Sequence, residues 1–212
     1  MNKKFLVIGN PIEHSLSPKL HNYWIKKNNL NASYDKKLLE HGEIKQLISN
    51  VREEKIHGLN VTVPFKKMVI PFLDILSDEA KNSQSVNTIY KDKGKIIGDN
   101  TDIEGFKTAL ETTNQVIKNK KALILGAGGV VPSIIVALKK MQISKIYLSN
   151  RTELKALEIK KLFPEIEIIE WGRVTNFDII INATSIGLNE KDEINIDYKN
   201  ISQNRFFYDV IY

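Results

Sequence analysis

The sequence contains no cysteine, which excludes disulfide bonds and thiolate metal sites. No apolar run approaches the roughly 18 residues of a membrane-spanning helix. The apolar run Phe5 to Ile8 near the N-terminus is too short for the core of a signal peptide, and it predicts a first strand instead. With 42% hydrophobic and 26% charged residues, the composition is typical of a soluble globular protein, and we expect a cytoplasmic one without metal or membrane.

Arginine is also scarce. Lysine and arginine total 31 residues, of which the arginines are Arg52, Arg151, Arg173 and Arg205. The net charge is +6, and the lysines are scattered or paired rather than arranged in a basic stripe with aromatic residues. Proteins that bind nucleic acids concentrate their positive charge and read bases with arginine. The charge pattern therefore predicts no nucleic-acid partner and a mild attraction for anionic small molecules.

The 212 residues suit one large domain or two small ones. Strands and helices are mixed as far as Thr112, and the polar stretch 113–120 is typical of a linker. After it, continuous apolar strands alternate with helices, which predicts a parallel sheet covered on both faces. We therefore predict two α/β domains with a cleft between them, a substrate domain at 1–112 and a nucleotide domain at 121–212.

The stretch GLNVTVPFK at 58–66 predicts a half-buried strand, in which Leu59, Val61 and Val63 face the core. The other face carries polar residues, with a lysine just beyond the strand: Asn60, Thr62 and Lys66. This face either contacts water or lines a pocket for a ligand rich in hydroxyls. A short helix is predicted after it at Lys66 to Leu73.

A glycine-rich turn, LGAGGVV, lies where the strand Lys121 to Leu125 meets a helix. Its glycines permit the tight turn and the close backbone approach that a pyrophosphate needs, and the helix N-terminus offers free N–H groups. The candidate cofactor residues are Gly126, Ala127, Gly128 and Gly129. Val131 replaces the usual third glycine, so an ordinary strand-to-helix connection remains an alternative.

The next strand, Lys145 to Ser149, ends without the carboxylate that usually binds the ribose of NAD. Polar and basic residues follow it instead: Asn150, Arg151, Thr152 and Lys155. A guanidinium and an ammonium there suit a 2′-phosphate, so a Rossmann-type domain that prefers NADP is predicted. The alternative is a surface arginine beside a helix N-cap.

Polar clusters recur where strands of the first half end: 15–17, 60–66, 86–88 and 100–102. Each has a structural interpretation as a helix cap, an exposed strand face or a hairpin edge. Together they supply hydroxyls, amides, one lysine and one carboxylate beside a nucleotide domain. That combination suits the binding of a polyhydroxylated acid and a proton transfer that accompanies hydride transfer.

In its motifs the sequence resembles the shikimate dehydrogenase family. The similar segments occur in the family's order and cover nearly the whole chain: PIEHSLSPKLHN (11–22), NVTVPFK (60–66), SVNTI (85–89), GDNTD (98–102) with Gly105, GAGG (126–129), NRTELKA (150–156), NATSIG (182–187) and YDVIY (208–212). The resemblance implies reversible, NADPH-dependent reduction of 3-dehydroshikimate to shikimate, a step in aromatic amino acid biosynthesis.

The resemblance also implies residue roles. The substrate carboxylate would be held by Ser15, Ser17 and Tyr212, and the ring hydroxyls by Asn60, Thr62, Asn87 and Asp102. Lys66 would lie against the oxygen at the reacting carbon and form a coupled catalytic pair with Asp102. The NATSIG segment would add cofactor contacts from Ala183, Thr184 and Ser185.

The family pattern continues past Tyr212, so the resemblance implies a nucleotide domain that is incomplete at its C-terminus and a chain of reduced activity. Two alternatives remain for the function. One is a quinate/shikimate dehydrogenase that uses NAD, and the other is a nucleotide-binding module without turnover. A monomer or a homodimer is expected.

Overall fold

The computed structural model describes residues 2–174, 176–187, 192–194, 196, 201 and 204–211. Contacts within the chain form two units, Met1–Asp102 and Ile103–Tyr212. Each unit contains its own sheet with helices, which confirms the predicted two-part α/β organisation. Among the described residues, no helix combines the length and the apolar character needed to cross a bilayer.

The first unit is a mixed sheet with helices packed against it. Its strands are β1 (Lys3–Gly9), β2 (Ala32–Leu38), β3 (Gly58–Val61), β4 (Ile75–Leu76), β5 (Thr88–Asp92) and β6 (Lys95–Asp99). Its helices are α1 (Ser17–Lys27), α2 (Ile44–Arg52) and α3 (Asp78–Ser83), with 3-10 turns at His41–Glu43 and Ile70–Phe72. The strand order is β2-β1-β3-β5-β6-β4, and only the contacts of β5 with β3 and β6 are antiparallel.

Helix α2 shows how the apolar pattern builds the first core. Ile44, Leu47, Ile48 and Val51 recur at helical spacing, and all four are buried. This single apolar face contacts β5 and β6, while the remaining face is polar. Burial of that stripe, rather than helix propensity, stabilises a helix of this length.

The second unit is a parallel five-stranded sheet. Its strands are β7 (Lys121–Leu125), β8 (Lys145–Ser149), β9 (Glu167–Ile168), β10 (Ile179–Asn182) and β11 (Phe206–Asp209). Its helices are α4 (Asp102–Thr112), α5 (Val131–Lys140) and α6 (Glu153–Leu162). The order β11-β10-β7-β8-β9 is that of a dinucleotide-binding domain, in which the strand order reverses beside the first strand.

Both faces of this sheet are buried, as the apolar strands predict. Along β7, Ala122 and Ile124 belong to one core cluster, whereas Leu123 and Leu125 belong to another on the opposite face. A strand that is covered on both sides has no polar face to show, which explains the continuous apolar sequence KALIL.

The division between the units falls before the predicted linker. Ile103, Phe106 and Leu110 of α4 lie in the core of the second unit, so the contact boundary follows Asp102 rather than residues 113–120. The prediction of a linker at 113–120 is based on the polarity of that stretch alone. The packing of α4 depends instead on its contacts with core residues of the second unit, which are distant in the sequence. The predicted domain limits stay a prediction.

Two local predictions around the third strand are wrong. Val63 is 54% exposed instead of facing the core, because β3 ends at Val61 and the alternation does not continue past it. The helix predicted at Lys66 to Leu73 is reduced to the 3-10 turn Ile70–Phe72. Pro71 would lie in the interior of the predicted helix, where it has no N–H to donate to the carbonyl oxygen of Lys67 and its ring crowds that carbonyl.

Candidate active site

The backbone around Lys66 is anchored on both sides. The preceding residue, Phe65, is fully buried in the first core. The backbone N–H of Val86 donates to the carbonyl oxygen of Lys66 at 2.9 Å. The lysine side chain therefore starts from a fixed point just beyond β3.

Lys66 and Asp102 form an ion pair although 35 residues separate them in the chain. The Nζ of Lys66 lies 2.6 Å from Oδ2 of Asp102, and the side chains are 13% and 26% exposed. Partial burial reduces screening by water, so the attraction between the two charges is less damped than in a fully exposed pair. It leaves both groups accessible to a small ligand.

Asn87 holds the other carboxylate oxygen. Its Nδ2 donates to Oδ1 of Asp102 at 2.7 Å. Its Oδ1 accepts from the backbone N–H of Thr101 at 3.0 Å and from the hydroxyl of Thr88 at 2.9 Å. Because a backbone N–H can only donate, these contacts determine which way the amide points. Both oxygens of Asp102 are thus engaged, and the carboxylate cannot rotate freely.

Asn100 fixes the start of α4. Asn100 is 2% exposed, and its Nδ2 donates to the hydroxyl of Ser83 at 3.0 Å and to the carbonyl oxygen of Ser85 at 2.8 Å. Its Oδ1 accepts from the backbone N–H of Asp102 at 3.0 Å. Asn100 therefore holds the backbone of Asp102, the candidate catalytic carboxylate, in place.

Asn60 extends the same network along β3 and β5. Its Nδ2 donates to the carbonyl oxygen of Asn87 and to the hydroxyl of Thr88, each at 3.3 Å. Its Oδ1 accepts from the hydroxyl of Tyr34 at 2.6 Å. The structure thus brings together four predicted site residues, Lys66, Asp102, Asn87 and Asn60, within the first unit.

The remaining predicted substrate residues are less closely connected. Ser15 and Ser17 adjoin one another, with the backbone N–H of Ser17 donating to the Ser15 hydroxyl at 3.3 Å. Ser17 is the first residue of α1 rather than its N-cap, which is Leu16 without a side-chain hydrogen bond. Thr62 is half-buried beyond β3. Tyr212 lies outside the described residues.

Tyr34 is a residue of this site that sequence reasoning missed. It is 3% exposed, and burial raises the pKa of its hydroxyl, with a hydrogen bond to Ser17 acting in the opposite direction. The hydroxyl therefore stays protonated near neutral pH. An aromatic ring within the charged strand ASYDKKL signals burial, but nothing local signals what its hydroxyl contacts.

In the second unit, the glycine-rich turn packs against the loop after β10. Gly126 has a φ of +105°, and a Cβ on it would lie 2.7 Å from the carbonyl oxygen of Ala183. Ala127 is half-buried, whereas Gly128 and Gly129 are exposed just before α5. The turn therefore has bare backbone at the end of β7, as a pyrophosphate site requires.

The loop after β10 is held by Asn182. Its Nδ2 donates to the carbonyl oxygen of Ile186 at 3.1 Å and to Oδ2 of Asp209 at 3.0 Å. Its Oδ1 accepts from the backbone N–H and the hydroxyl of Thr184 at 3.1 and 2.7 Å. Ala183 is buried and Ser185 is exposed on this loop. The predicted cofactor residues here thus lie on an ordered loop next to Gly126.

The basic end of β8 carries the candidate phosphate residues. Arg151, Thr152 and Lys155 are exposed, and the Asn150 side chain closes the turn by donating to the carbonyl oxygen of Thr152 at 2.7 Å. Thr152 is the N-cap of α6 but makes no capping hydrogen bond through its side chain. Within the described residues, neither basic group forms an ion pair, so both are available to an anion.

Two family models match the chain. Residues 7–89 match the shikimate dehydrogenase substrate binding domain, and residues 107–210 match shikimate/quinate 5-dehydrogenase. These matches cover both units and confirm the resemblance that the sequence motifs indicate.

Similar proteins carry the same description. The shikimate dehydrogenase (NADP(+)) of Pelagibacter ubique is 76% identical over 212 residues, which are 100% of this chain and 80% of that protein. The crystal structure of shikimate dehydrogenase from Aquifex aeolicus has a TM-score of 0.88 at 37% identity, covering 100% of this chain and 79% of that one. A Thermus thermophilus structure in complex with NADP(H) and shikimate has a TM-score of 0.87 at 28% identity, covering 99% and 79%.

Proposed function

Because this chain belongs to the shikimate dehydrogenase family, we propose that it interconverts 3-dehydroshikimate and shikimate with NADP as its cofactor. The observation that carries the proposal is the contact of Lys66 with Asp102 at 2.6 Å, on elements that are distant in the chain. An ammonium and a carboxylate held together at a partly exposed position can bind a hydroxyl or carbonyl group and move its proton.

The two groups act on the oxygen of the reacting carbon. During reduction, the ammonium of Lys66 donates a proton to the alkoxide oxygen as negative charge develops there. During oxidation, the neutral amine accepts the proton of the hydroxyl group. Asp102 orients the amine in both directions through the contact at 2.6 Å.

The amides and hydroxyls of the first unit suit the rest of the substrate. Asn60, Asn87 and Thr62 bind ring hydroxyls, for which amides and hydroxyls offer both donors and acceptors. Ser15 and Ser17 bind the carboxylate through their hydroxyls. The rigid hydrogen bonds of Asn87 present its amide in one orientation, which favours one arrangement of ring hydroxyls over its stereoisomers.

The residues of the second unit fit NADP. The backbone of Gly126 to Gly129 and the N-terminus of α5 would bind the pyrophosphate, and Arg151 and Lys155 the 2′-phosphate. The loop residues Ala183 to Ser185 would contact the cofactor beside the turn. Bound there, NADP would supply the acceptor for the substrate hydride, and NADPH would supply the donor in the reverse direction.

A steady-state assay tests the proposal. This chain, mixed with shikimate and NADP, is expected to form NADPH, seen as an increase in absorbance at 340 nm. Turnover is expected to be slower with NAD. Binding of NADP in a calorimeter without any turnover of shikimate would overturn the proposal in favour of a nucleotide-binding module.

We further propose a cytoplasmic location and a monomer or homodimer. Sedimentation of the purified chain at several concentrations distinguishes the two states. A larger assembly would contradict the proposal.

A further inference from the structure

We propose that Tyr34 is a positioning residue for the substrate, because its hydroxyl fixes the side chain of Asn60. The inference rests on the proposed function, in which Asn60 binds a ring hydroxyl. Tyr34 itself needs no contact with the substrate, since it acts through the amide that it holds.

The hydroxyl of Tyr34 makes a short contact in a buried place. Tyr34 is 3% exposed, and its hydroxyl donates to Oδ1 of Asn60 at 2.6 Å. A buried hydroxyl and a partly buried amide oxygen have little access to water as an alternative partner. Loss of this contact therefore leaves the amide oxygen without its donor.

The direction of this hydrogen bond follows from the other contacts of Asn60. Its Nδ2 lies 3.3 Å from the carbonyl oxygen of Asn87, which can only accept a hydrogen bond. The amide oxygen of Asn60 must therefore face Tyr34, and the tyrosine must donate. The side-chain amide of Asn60 is thus held by hydrogen bonds at both its oxygen and its nitrogen, and Tyr34 provides the one at the oxygen.

Tyr34 is itself held at three further places by α1. The side chain of Asn22 donates to the carbonyl oxygen of Tyr34 at 2.7 Å and accepts from its N–H at 3.1 Å. The ring of His21 stacks on the tyrosine ring, with 4.2 Å between centroids and 4° between planes. In the motif PIEHSLSPKLHN, His21 and Asn22 therefore hold Tyr34 in place, which is a role separate from the proposed substrate contacts of Ser15 and Ser17.

The consequence is a continuous chain of hydrogen bonds behind the substrate site. It leads from Tyr34 to Asn60, from Asn60 to the backbone of Asn87, and from the Asn87 side chain to Asp102. A substrate that binds to Asn60 thus meets an amide whose orientation is set before binding. Such preorganisation lowers the free-energy cost of binding.

The test is Tyr34→Phe, which removes the hydroxyl and keeps the stacked ring. Shikimate affinity, measured by calorimetry, is expected to fall about tenfold, as loss of a donor to a buried acceptor predicts. The KM for shikimate should rise by a similar factor, whereas kcat and NADP affinity should change less than about twofold. Tyr23→Phe on α1 is the matched control, since Tyr23 is 59% exposed and should behave as wild type.

A second variant shows whether the tyrosine acts through Asn60. In an Asn60→Ala background, Tyr34→Phe is expected to cost little further affinity for shikimate. An equal tenfold loss in that background would overturn the inference, as would unchanged shikimate affinity in Tyr34→Phe. Parallel losses of shikimate and NADP affinity would also overturn it, because they indicate a general loss of structure. A wild-type chain without turnover would instead contradict the proposed function.

Discussion

The carbonyl oxygen of Ala183 occupies the space that a side chain on Gly126 would need, with 2.7 Å between that oxygen and the position of a Cβ. Gly126 also has a φ of +105°, a backbone conformation that residues with a side chain rarely adopt. We expect Gly126→Ala to lower the free energy of unfolding by at least about 2 kcal/mol in a urea titration. NADP affinity should fall with it, because the turn must move to relieve the clash.

Gly128→Ala is the matched control for this steric argument. A Cβ on Gly128 would lie 3.8 Å from the same carbonyl oxygen, which is an ordinary contact distance. The free energy of unfolding should change by less than about 0.5 kcal/mol, since alanine also restricts the unfolded chain. Equal destabilisation by the two substitutions would show that the carbonyl of Ala183 does not set the requirement for glycine.

Lys66→Ala and Asp102→Asn test the coupled pair. Each removes one member of the contact at 2.6 Å, so proton transfer to the reacting oxygen loses either its donor or the group that orients it. We expect kcat to fall by about 10²–10⁴-fold in each variant. The far-ultraviolet circular dichroism spectrum should stay that of the wild type, because both side chains lie partly exposed outside the core.

Lys67→Ala is the matched control for Lys66→Ala. Lys67 is the adjacent residue, carries the same charge and is exposed. Its substitution should leave kcat within about twofold of wild type, because the charge of an exposed side chain is screened by water and salt and Lys67 is not part of the Lys66–Asp102 contact. Near-normal turnover in either variant of the pair would refute the catalytic assignment.

Long regular patterns made much of the fold predictable. The apolar strand KALIL and the apolar stripe of α2 each repeat over enough residues to identify the element and its buried face. By contrast, β4 has only two residues, Ile75 and Leu76, and it exists because it pairs with β6 some 20 residues on. Pairing with a distant strand produces no periodic pattern of apolar residues in the local sequence, so β4 could not be predicted from it.

The candidate site divides in the same way. The sequence placed Lys66 and Asp102 in polar clusters at the ends of elements, and the resemblance to the shikimate dehydrogenase family implied their pairing. Tyr34 was not identifiable, because its role depends on the hydroxyl reaching Asn60 across two parallel-strand contacts. The exposure of Val63 was missed because alternation predicts a face only as far as the strand continues.

Arg151→Ala tests the preference for NADP. Arg151 is exposed beyond β8 and unpaired within the described part of the chain, so its guanidinium is free to bind a 2′-phosphate. We expect the KM for NADP to rise about tenfold, while the KM for NAD, which lacks that phosphate, changes less than about twofold. Steady-state kinetics with each cofactor at saturating shikimate gives both values.

Arg173→Ala controls for the loss of one positive charge. Arg173 is exposed in the same unit and lies outside the residues that we assign to the cofactor. It should leave both KM values unchanged. If Arg151→Ala raised the two KM values equally, the arginine would act on a part of the cofactor that NAD and NADP share.

Asp74 provides a prediction about pH and stability. The two N–H groups of Arg52 contact its carboxylate at 2.9 and 3.1 Å, and the backbone N–H of Ile96 donates to it at 2.7 Å. The Arg52 contact, followed by the backbone contact, lowers the pKa of Asp74 from 3.8 to about 2. The folded state therefore binds this proton less readily than the unfolded state. Its contribution to stability is complete above about pH 5 and is lost progressively as the pH falls through the unfolded value of 3.8 toward the folded value of about 2.

Asp74→Asn removes this titration. The melting temperature of the variant should lie below that of the wild type at pH 5. The difference between the two melting temperatures should be smaller at pH 3, where the ionised carboxylate of Asp74 stabilises the wild type less. Asp35→Asn, at an exposed position on β2, controls for the loss of a negative charge and should show no such narrowing. A gap of equal size at both pH values would mean that Asp74 stabilises the fold through contacts that do not depend on its ionisation.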